Sequence, residues 1–358
     1  MSKYIYIDRI YGSFKLNEYI VKLLKLPEVR RLKYVNLVSV PQEFLNTWGL
    51  YFDSRLEHSI GVSYLSNFLK FEKIKELISI CGLLHDIGSP PFSHATEKIM
   101  AVHLGKDHES MNIDVIKNSE IKDILENLGI FEDCIELLKK LRPESALLFG
   151  NIDLDNIDNI ARFAYNASLP ILFDPIRIVK SFRYNGKYFV TNEEEYKKWR
   201  KSRSYVYSII YASEISIMYS MLIRFIYLLY NRRELPIEFY RFTDFEALNF
   251  LKSTFLKERI EEAEKGKIFV PIYFTKIPEE LIDLNIIKMQ KILDELCEEI
   301  KIDYDQICIL FEKVKLTNLY IFGIYVHSSL IGSVNLVKKI VSYVKEKIFN
   351  KKSQRFSL

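Results

Sequence analysis

Histidines are concentrated in one short stretch of the chain. Five of the six histidines in this 358-residue sequence lie between positions 55 and 109. They are His58, His85, His94, His103 and His108. Histidine is the most common metal ligand among side chains and carries protons near neutral pH, so this crowding indicates a chemical site. We interpret His103 as an ordinary surface or core residue outside it.

Two of these histidines and nearby carboxylates form a candidate metal-ligand set. His58 belongs to one predicted helix, and His85 and Asp86 belong to a second. Neighbouring residues on a helix point about 100° apart, so His85 and Asp86 can flank an ion held between helices but cannot face the same way. A carboxylate from a third segment would complete a mixed nitrogen and oxygen set. Such a set suits Mn, Fe, Ni, Co or Zn.

The motifs around these residues resemble a known family, the HD-domain metal-dependent phosphohydrolases. Within the family they are similar to the deoxynucleoside triphosphate triphosphohydrolase branch, which includes bacterial dGTPases and the vertebrate SAM- and HD-domain enzyme. The resemblance starts in a predicted N-terminal hairpin and fades after about position 244. The segments that carry it are residues 7–12, 31–34, 55–62, 84–97 and 152–158.

The resemblance implies four metal ligands at individual positions. They are His58, His85, Asp86 and Asp155, and each position carries the residue type that the family pattern requires. Asp155 is thus the carboxylate from a third segment. The implied cofactor is a divalent transition metal (Mn, Fe, Ni, Co or Zn), with Mg²⁺ on the substrate phosphates as a further cation.

The resemblance also implies catalytic and phosphate-binding residues. His94 and Glu97 match the catalytic pair of dGTPases. They are three residues apart on a predicted helix and can touch, so the carboxylate can orient the imidazole. His108 matches a third family histidine near the phosphates. Arg55 and Arg203 fall at phosphate-binding positions, a role that suits the guanidinium fork.

Three positions depart from the family pattern where the family holds the sugar. Leu37 replaces a glutamine, Asn159 an aromatic residue, and Ala212 a second glutamine beside the retained Tyr211. We interpret Asn159 and Tyr211 as substrate-binding residues. Because fewer hydrogen bonds can favour a deoxyribose, we expect hydrolysis with a weaker preference for deoxynucleotides than the family has.

The resulting prediction is metal-dependent hydrolysis of (deoxy)nucleoside triphosphates to nucleoside and triphosphate. One alternative is an HD hydrolase of other phosphoesters, such as nucleoside monophosphates or oligonucleotides, which the sugar-site departures keep open. The other is a non-catalytic relative that binds nucleotides or nucleic acid. The intact ligand set with His94 and Glu97 argues against the latter, because binding alone does not need these residues.

The composition is that of a globular protein, with 49% hydrophobic and 27% charged residues. The net charge of +4 neither requires nor excludes a nucleic-acid partner. The four cysteines are scattered without a metal-binding motif and fit reduced thiols. We expect a cytoplasmic protein that binds a nucleotide substrate, forms homo-oligomers and does not associate with membranes.

The predicted fold is mainly α, an HD-domain helical core with small accessory β-hairpins and an α+β C-terminal region. We expect a catalytic domain over residues 1–240 and the C-terminal region, packed on it, over residues 241–358. Asn185 and Gly186 predict a hairpin turn, with strands within residues 176–190. The apolar stretch 205–230 contains Glu214 and Arg224, whose charges are costly in lipid, so it predicts one buried helix.

Overall fold

The computed structural model describes residues 4–185, 189–267, 269–279, 285–314 and 319–349. Helices dominate these residues and the sheets are small, so the predicted mainly α fold is confirmed. The α-helices up to residue 166 are α1 (Glu18–Leu24), α2 (Pro27–Arg31), α3 (Gln42–Asn46), α4 (Arg55–Leu65), α5 (Lys75–Leu84), α6 (His94–Leu104), α7 (His108–Lys117), α8 (Ile121–Asn127), α9 (Phe131–Leu138), α10 (Ala146–Phe149) and α11 (Leu154–Asn166). Those that follow are α12 (Pro175–Lys180), α13 (Glu193–Ala212), α14 (Glu214–Asn231), α15 (Asp244–Lys252), α16 (Lys257–Glu264), α17 (Ile286–Ile300) and α18 (Val334–Phe349).

The N-terminal segment forms the predicted hairpin. Strands β1 (Ile5–Asp8) and β2 (Gly12–Lys15) pair antiparallel, with Asp8 opposite Gly12. The Asp8 carboxylate closes the turn by accepting hydrogen bonds from the backbone N–H groups of Ile10 and Tyr11. Gly12 has a φ of +71°, a conformation in which glycine avoids a Cβ clash. The hairpin is therefore specified by its own turn residues.

Two central helices present the first part of the histidine-rich stretch. Helix α4 begins with a capping box, in which Ser54 and Glu57 exchange hydrogen bonds between side chain and backbone. Its apolar residues pack against α5, whose C-terminal end leads directly into His85. Helix α11, capped by the Asp153 side chain, also contacts α4. Helices α5 and α11 thus both pack against α4.

The apolar stretch 205–230 is divided between two helices rather than forming the predicted single one. Ser213 has an extended backbone (φ −101°, ψ 171°) and separates α13 from α14, which are bent by 61°. The Ser213 hydroxyl makes no capping hydrogen bond to α14 and instead donates to the Ile210 carbonyl at the end of α13, at 3.1 Å. Helix α14 is largely buried, as predicted. Among the described helices none alone is long and apolar enough to span a membrane, although this bent pair passes that test of length and composition.

The C-terminal region contains a three-stranded antiparallel sheet with the order β5–β7–β6, in which β5 is Val270–Pro278, β6 is Ile307–Lys313 and β7 is Leu319–Val326. Successive strand residues point to opposite faces. In β6, Cys308 and Leu310 join the main hydrophobic core, whereas Ile309 joins a second core formed with α17 and α18. Because of this alternation, one face of the sheet packs on the helical body. The proposed domain division at residue 240 stays a prediction.

Several predicted elements differ from the observed ones. Residues 176–180 belong to helix α12, because Asp174 caps a helix that Pro175 opens, and the strands β3 (Arg183–Tyr184) and β4 (Phe189–Val190) are short. Gly186 of the predicted turn lies outside the described residues.

Candidate active site

The four predicted metal ligands come together from three elements. His58 lies on α4, His85 and Asp86 follow α5, and Asp155 lies in the first turn of α11. His58, His85 and Asp86 each offer a ligand atom within 4.8 Å of the other two. The Asp155 Oδ1 atom lies 3.0 Å from His58 Nε2 and 3.8 Å from His85 Nε2. Ligand atoms that share one ion at about 2.0–2.2 Å have separations of this order.

Each of these histidines is oriented through its other ring nitrogen. His58 Nδ1 lies 2.7 Å from Asp158 Oδ2, and His85 Nδ1 lies 2.7 Å from the Gly82 carbonyl oxygen. Both partners accept hydrogen bonds, so Nδ1 donates in each ring. Among the described residues, His85 Nε2 is buried without a hydrogen-bond partner. A buried polar atom left unpaired is costly, and a metal ion would satisfy it, so this donor set fits a metal.

The electrostatics of His58 also suit a cation. Burial lowers the pKa of His58, but the hydrogen bonds to Asp155 and Asp158 outweigh this and raise it to about 9. The ring therefore sits in a strongly negative environment that favours positive charge at Nε2. Metal binding requires the neutral ring, so an ion would replace the proton at this atom.

Arg55 pairs with one of the predicted ligands. Its Nη1 atom lies 2.6 Å from Asp86 Oδ2, and its Nε–H donates to Ser93 Oγ at 2.9 Å. Burial raises the pKa of Asp86, but the charges of Arg55, His85 and His58 together outweigh it and hold the pKa below its ordinary range. Asp86 is therefore ionised at neutral pH. These two contacts use Nε and Nη1 of Arg55, and its predicted role in phosphate binding stays a prediction.

The turn that follows Asp86 is held by groups from other elements. Asn112 on α7 donates to the His85 carbonyl and accepts from the Gly88 N–H at 2.6 Å. A Cβ at Gly88 would lie 2.5 Å from the backbone nitrogen of Asn112, so only glycine permits this approach of α7. Arg31 donates to the carbonyl oxygens of Ile87 and Ser89. These contacts explain why a small residue follows the His-Asp pair.

The start of α6 carries backbone strain. Phe92 and Ser93 have φ values of +55° and +46°, which non-glycine residues adopt at a cost of about 1–3 kcal/mol each. The Phe92 N–H donates to buried Asp244 at 2.7 Å, which helps to hold this conformation. Ser93 precedes the helix, but its hydroxyl makes no capping hydrogen bond and donates instead to the Asn36 carbonyl. Although serine commonly caps helices, Ser93 does not cap α6, because its hydroxyl also accepts the hydrogen bond from Arg55.

Glu97 connects the two other predicted catalytic residues. Its Oε2 atom accepts from His94 Nδ1 at 2.8 Å, and its Oε1 atom accepts from His108 Nδ1. Burial raises the pKa of Glu97, but the two imidazoles outweigh it and lower that pKa well below the ordinary value. For His108, burial lowers the pKa, but the bond to Glu97 outweighs this effect and the pKa is raised. The His94 side chain is 51% exposed and can meet a substrate.

A cavity of about 440 Å³ joins these groups. Its lining includes predicted metal, catalytic and substrate residues, namely Arg55, His85, Asp86, His94, Glu97, His108, Asp155, Asn159 and Tyr211. Leu37, one of the departures from the family pattern, lines it as well, and Ala212 is the last residue of α13. The volume is in the range of small-molecule sites.

Arg203 is not among the described residues that line this cavity. Its side chain is buried, and its guanidinium lies 5.0 Å from the ring centre of Tyr207 and 5.5 Å from that of Trp199. Tyr207 does line the cavity. In this arrangement Arg203 reaches the site only through the aromatic ring that it supports.

The sequence did not reveal one wall of the cavity. Glu312 and Lys313 on β6 line it, together with Tyr219 on α14 and Lys98 on α6. Glu312 forms an ion pair with Lys98 and accepts a hydrogen bond from the Tyr219 hydroxyl at 2.5 Å. These residues lie outside the segments that carry the resemblance, and β6 itself was not predicted. The available signal was the short continuous run of apolar residues at 307–311, which is typical of a buried strand.

Comparison with known proteins identifies the central part of the chain. Residues 55–162 match the family model of the HD domain. The chain is 24% identical over 249 residues to the deoxynucleoside triphosphate triphosphohydrolase SAMHD1 of Gallus gallus, which covers 53% of this chain and 39% of that protein. It is 29% identical over 184 residues to the uncharacterized protein MJ1154 of Methanocaldococcus jannaschii, covering 49% of this chain and 36% of that one. The chain thus spans little more than a third of each relative.

A solved structure has the same fold over almost the whole chain. The crystal structure of a hypothetical protein from Aquifex aeolicus superposes with a TM-score of 0.71 and covers 94% of this chain and 99% of that one. The identity is 22%, so this likeness concerns the fold alone.

The family match over residues 55–162 and the His-Asp centre within it define an HD domain in this chain. The modest identity to SAMHD1 supports the branch inferred from the motifs, that of the deoxynucleoside triphosphate triphosphohydrolases. The suspected family relationship is thereby confirmed.

Proposed function

We propose that this protein is a metal-dependent phosphohydrolase that converts (deoxy)nucleoside triphosphates to nucleoside and triphosphate. The observation that carries the proposal is the convergence of two groups on one cavity. The mixed His and Asp set forms one group, and the cluster of His94, Glu97 and His108 forms the other. A protein that only binds nucleotides would not require both.

In this proposal His58, His85, Asp86 and Asp155 hold a divalent transition metal. When bound, such an ion supplies Lewis acidity toward a phosphate oxygen and toward a water molecule. Arg55 would offer Nη2 to a phosphate, while its Nη1 pairs with Asp86 and its Nε–H donates to Ser93. A second cation such as Mg²⁺ would accompany the phosphates themselves.

The proposed proton carrier is His94. Its Nδ1 is engaged by Glu97, so Nε2 is the nitrogen that faces a substrate, and the carboxylate stabilises the ring when it is protonated. His108 shares that carboxylate, which raises its pKa and favours the protonated ring, and in that form it would stabilise negative charge on the phosphates. Together these residues would protonate the leaving group and orient the chain of phosphates.

Specificity for the sugar is proposed to be weak. Leu37 offers no polar atom to the cavity, and Asn159 stands in place of the aromatic residue of the family pattern. These two observations also favour the second candidate, hydrolysis of other phosphoesters such as nucleoside monophosphates or oligonucleotides. The two candidates share the metal centre and differ in substrate.

A panel of substrates separates them. The purified protein is incubated with Mn²⁺, Fe²⁺, Co²⁺, Ni²⁺ or Zn²⁺ and with deoxynucleoside triphosphates, ribonucleoside triphosphates, monophosphates and a short oligonucleotide. The products are separated by ion-exchange chromatography, and the His85→Ala variant is the control for a contaminating phosphatase. Triphosphate released with nucleoside supports the proposal. Orthophosphate from monophosphates alone supports the second candidate, and no product from any substrate contradicts both.

We also propose a homo-oligomer that acts in the cytoplasm. Both statements stay predictions from the sequence and its resemblance, and the oligomeric state can be measured by light scattering of the purified protein.

A further inference from the structure

The N-terminal hairpin is connected to the interior by a buried charge cluster. Arg162 on α11 is 1% exposed, and its three guanidinium nitrogens contact three carboxylates. Nε donates to Asp158 at 2.7 Å, Nη1 to Asp53 at 2.8 Å, and Nη2 to Asp8 at 2.6 Å. Asp8 is the residue that closes the hairpin turn. One side chain therefore joins the hairpin, the segment before α4, and α11.

Asp158 links this cluster to the candidate metal centre. Its Oδ2 atom accepts from His58 Nδ1 at 2.7 Å, and its Oδ1 atom accepts from the Tyr11 hydroxyl at 2.8 Å. Tyr11 belongs to the same hairpin turn as Asp8. Both carboxylate oxygens of Asp158 are thus engaged. Oδ1 bonds to the hairpin, and Oδ2 bonds both to His58 and to Arg162. Asp158 is fully buried, so no solvent competes for these bonds.

The backbone of α4 is adapted to this cluster. Gly61 lies one turn after His58, and a Cβ there would lie 2.1 Å from Asp158 Oδ1 and 2.4 Å from Arg162 Nη2. Both atoms are fixed by other partners, so they could not withdraw from a larger side chain. The glycine lets the carboxylate and the guanidinium lie directly against the helix that carries His58.

We propose that the N-terminal hairpin is part of the metal site, and that Tyr11, Asp8, Arg162 and Asp158 act as positioning residues for His58. The hairpin fixes Arg162 and Asp158, and Asp158 fixes the ring of His58 with its proton on Nδ1. The lone pair of Nε2 is then directed at the position between the other ligands. Partners of this kind orient metal-ligating histidines and increase their basicity. The inference rests on His58 being a ligand under the proposed function.

Metal affinity tests this role separately from hydrolysis. The full chain is freed of metal with a chelator and titrated with Mn²⁺ alone, and free Mn²⁺ is read from its electron paramagnetic resonance signal. Loss of an orienting carboxylate typically weakens metal binding about 10- to 100-fold, so Asp158→Ala is expected to raise the Kd by that factor. Tyr11→Phe removes one hydrogen bond and keeps the ring, and we expect a Kd about two- to tenfold higher.

Tyr165→Phe is the matched control. It removes an exposed hydroxyl from α11, the helix that carries Asp158 and Arg162. Its Kd should equal that of the wild type. Melting of the metal-free variants shows whether they fold, and if Asp158→Ala does not fold, Tyr11→Phe decides the question.

The outcomes are distinct. A folded Tyr11→Phe variant that binds Mn²⁺ as tightly as Tyr165→Phe would overturn the positioning role, whatever its melting temperature. A wild-type protein that binds Mn²⁺ but hydrolyses no nucleotide would contradict the proposed function. The positioning role would then still be decided by whether the variants bind Mn²⁺ more weakly than the wild type. A wild-type protein that binds no Mn²⁺ would overturn both.

Discussion

Replacement of Glu97 by glutamine gives the sharpest test of the catalytic cluster. The side chain keeps its size but loses the charge that two imidazoles share, through Oε2 to His94 and Oε1 to His108. A hydrogen bond to a charged group contributes about 1.5–3 kcal/mol, which corresponds to about 10- to 100-fold in rate if it acts on turnover. The His94 ring is half exposed and water competes for its bond, so we expect a value near the lower end.

The contribution of the His108–Glu97 ion pair to stability depends on pH in a direction that can be predicted. The pKa of His108 in the folded protein is raised above its ordinary value of 6.5, against the effect of burial, by the bond to Glu97. The ion pair therefore contributes stability that is fully present below about pH 6.5 and is lost as the pH rises through the folded pKa. The difference in unfolding free energy between wild type and Glu97→Gln should be largest near pH 6 and shrink at alkaline pH.

Three measurements check this prediction. Steady-state kinetics give kcat, urea unfolding at pH 6 and pH 9 gives the stability difference, and elemental analysis shows whether the metal content is unchanged. Glu126→Gln on α8 removes the same charge from an exposed pair with Lys122 and serves as the control. The reasoning is refuted if Glu97→Gln keeps a kcat within threefold of wild type, or if its stability difference does not depend on pH.

Three further predictions address the metal site, the selectivity for the sugar, and the turn that follows Asp86. Asp86→Ala should remove both bound metal and activity, and metal should raise the melting temperature of the wild type but not of this variant. A wild-type melting temperature that does not change on chelation would contradict this. For dATP and ATP we expect kcat/KM values that differ less than a thousandfold, because Leu37 and Asn159 leave an apolar or loosely bonded sugar edge, where discrimination is only about 10- to 200-fold; a larger ratio would show that other residues select the deoxyribose. Gly88→Ala should destabilise the fold by about 1–3 kcal/mol through overlap with the α7 backbone, as measured by urea unfolding, and an unchanged midpoint would disprove that close approach.

The local part of the site could be predicted from the sequence because its determinants are local. His58, His85 and Asp86 lie within one window of residues and share a centre as expected, although His85 and Asp86 follow α5 rather than lying on the predicted helix. His94 and Glu97 are three residues apart on α6 and touch as that spacing predicts. Asp155 came from the family resemblance, since nothing in its own segment indicates which helix it faces.

The remaining features depend on contacts between distant segments. Glu312 lines the cavity because one face of β6 packs on the helical body, and no local pattern places that strand beside α6. Arg162 gathers carboxylates from positions 8, 53 and 158, a convergence that only the folded chain reveals. The break at Ser213 likewise divides a stretch whose apolar composition predicts one continuous helix.

The central claim is tested most directly by hydrolysis in water enriched in ¹⁸O. The wild-type protein, with the metal that supports its activity, is incubated with dATP or ATP, and the products are analysed by mass spectrometry, with Asp86→Ala as the control. Attack of water at the α-phosphorus breaks its bond to the ester oxygen, so we expect one ¹⁸O atom in triphosphate and none in the nucleoside. Label in orthophosphate or pyrophosphate instead, or equal turnover by the Asp86→Ala variant, would contradict the account.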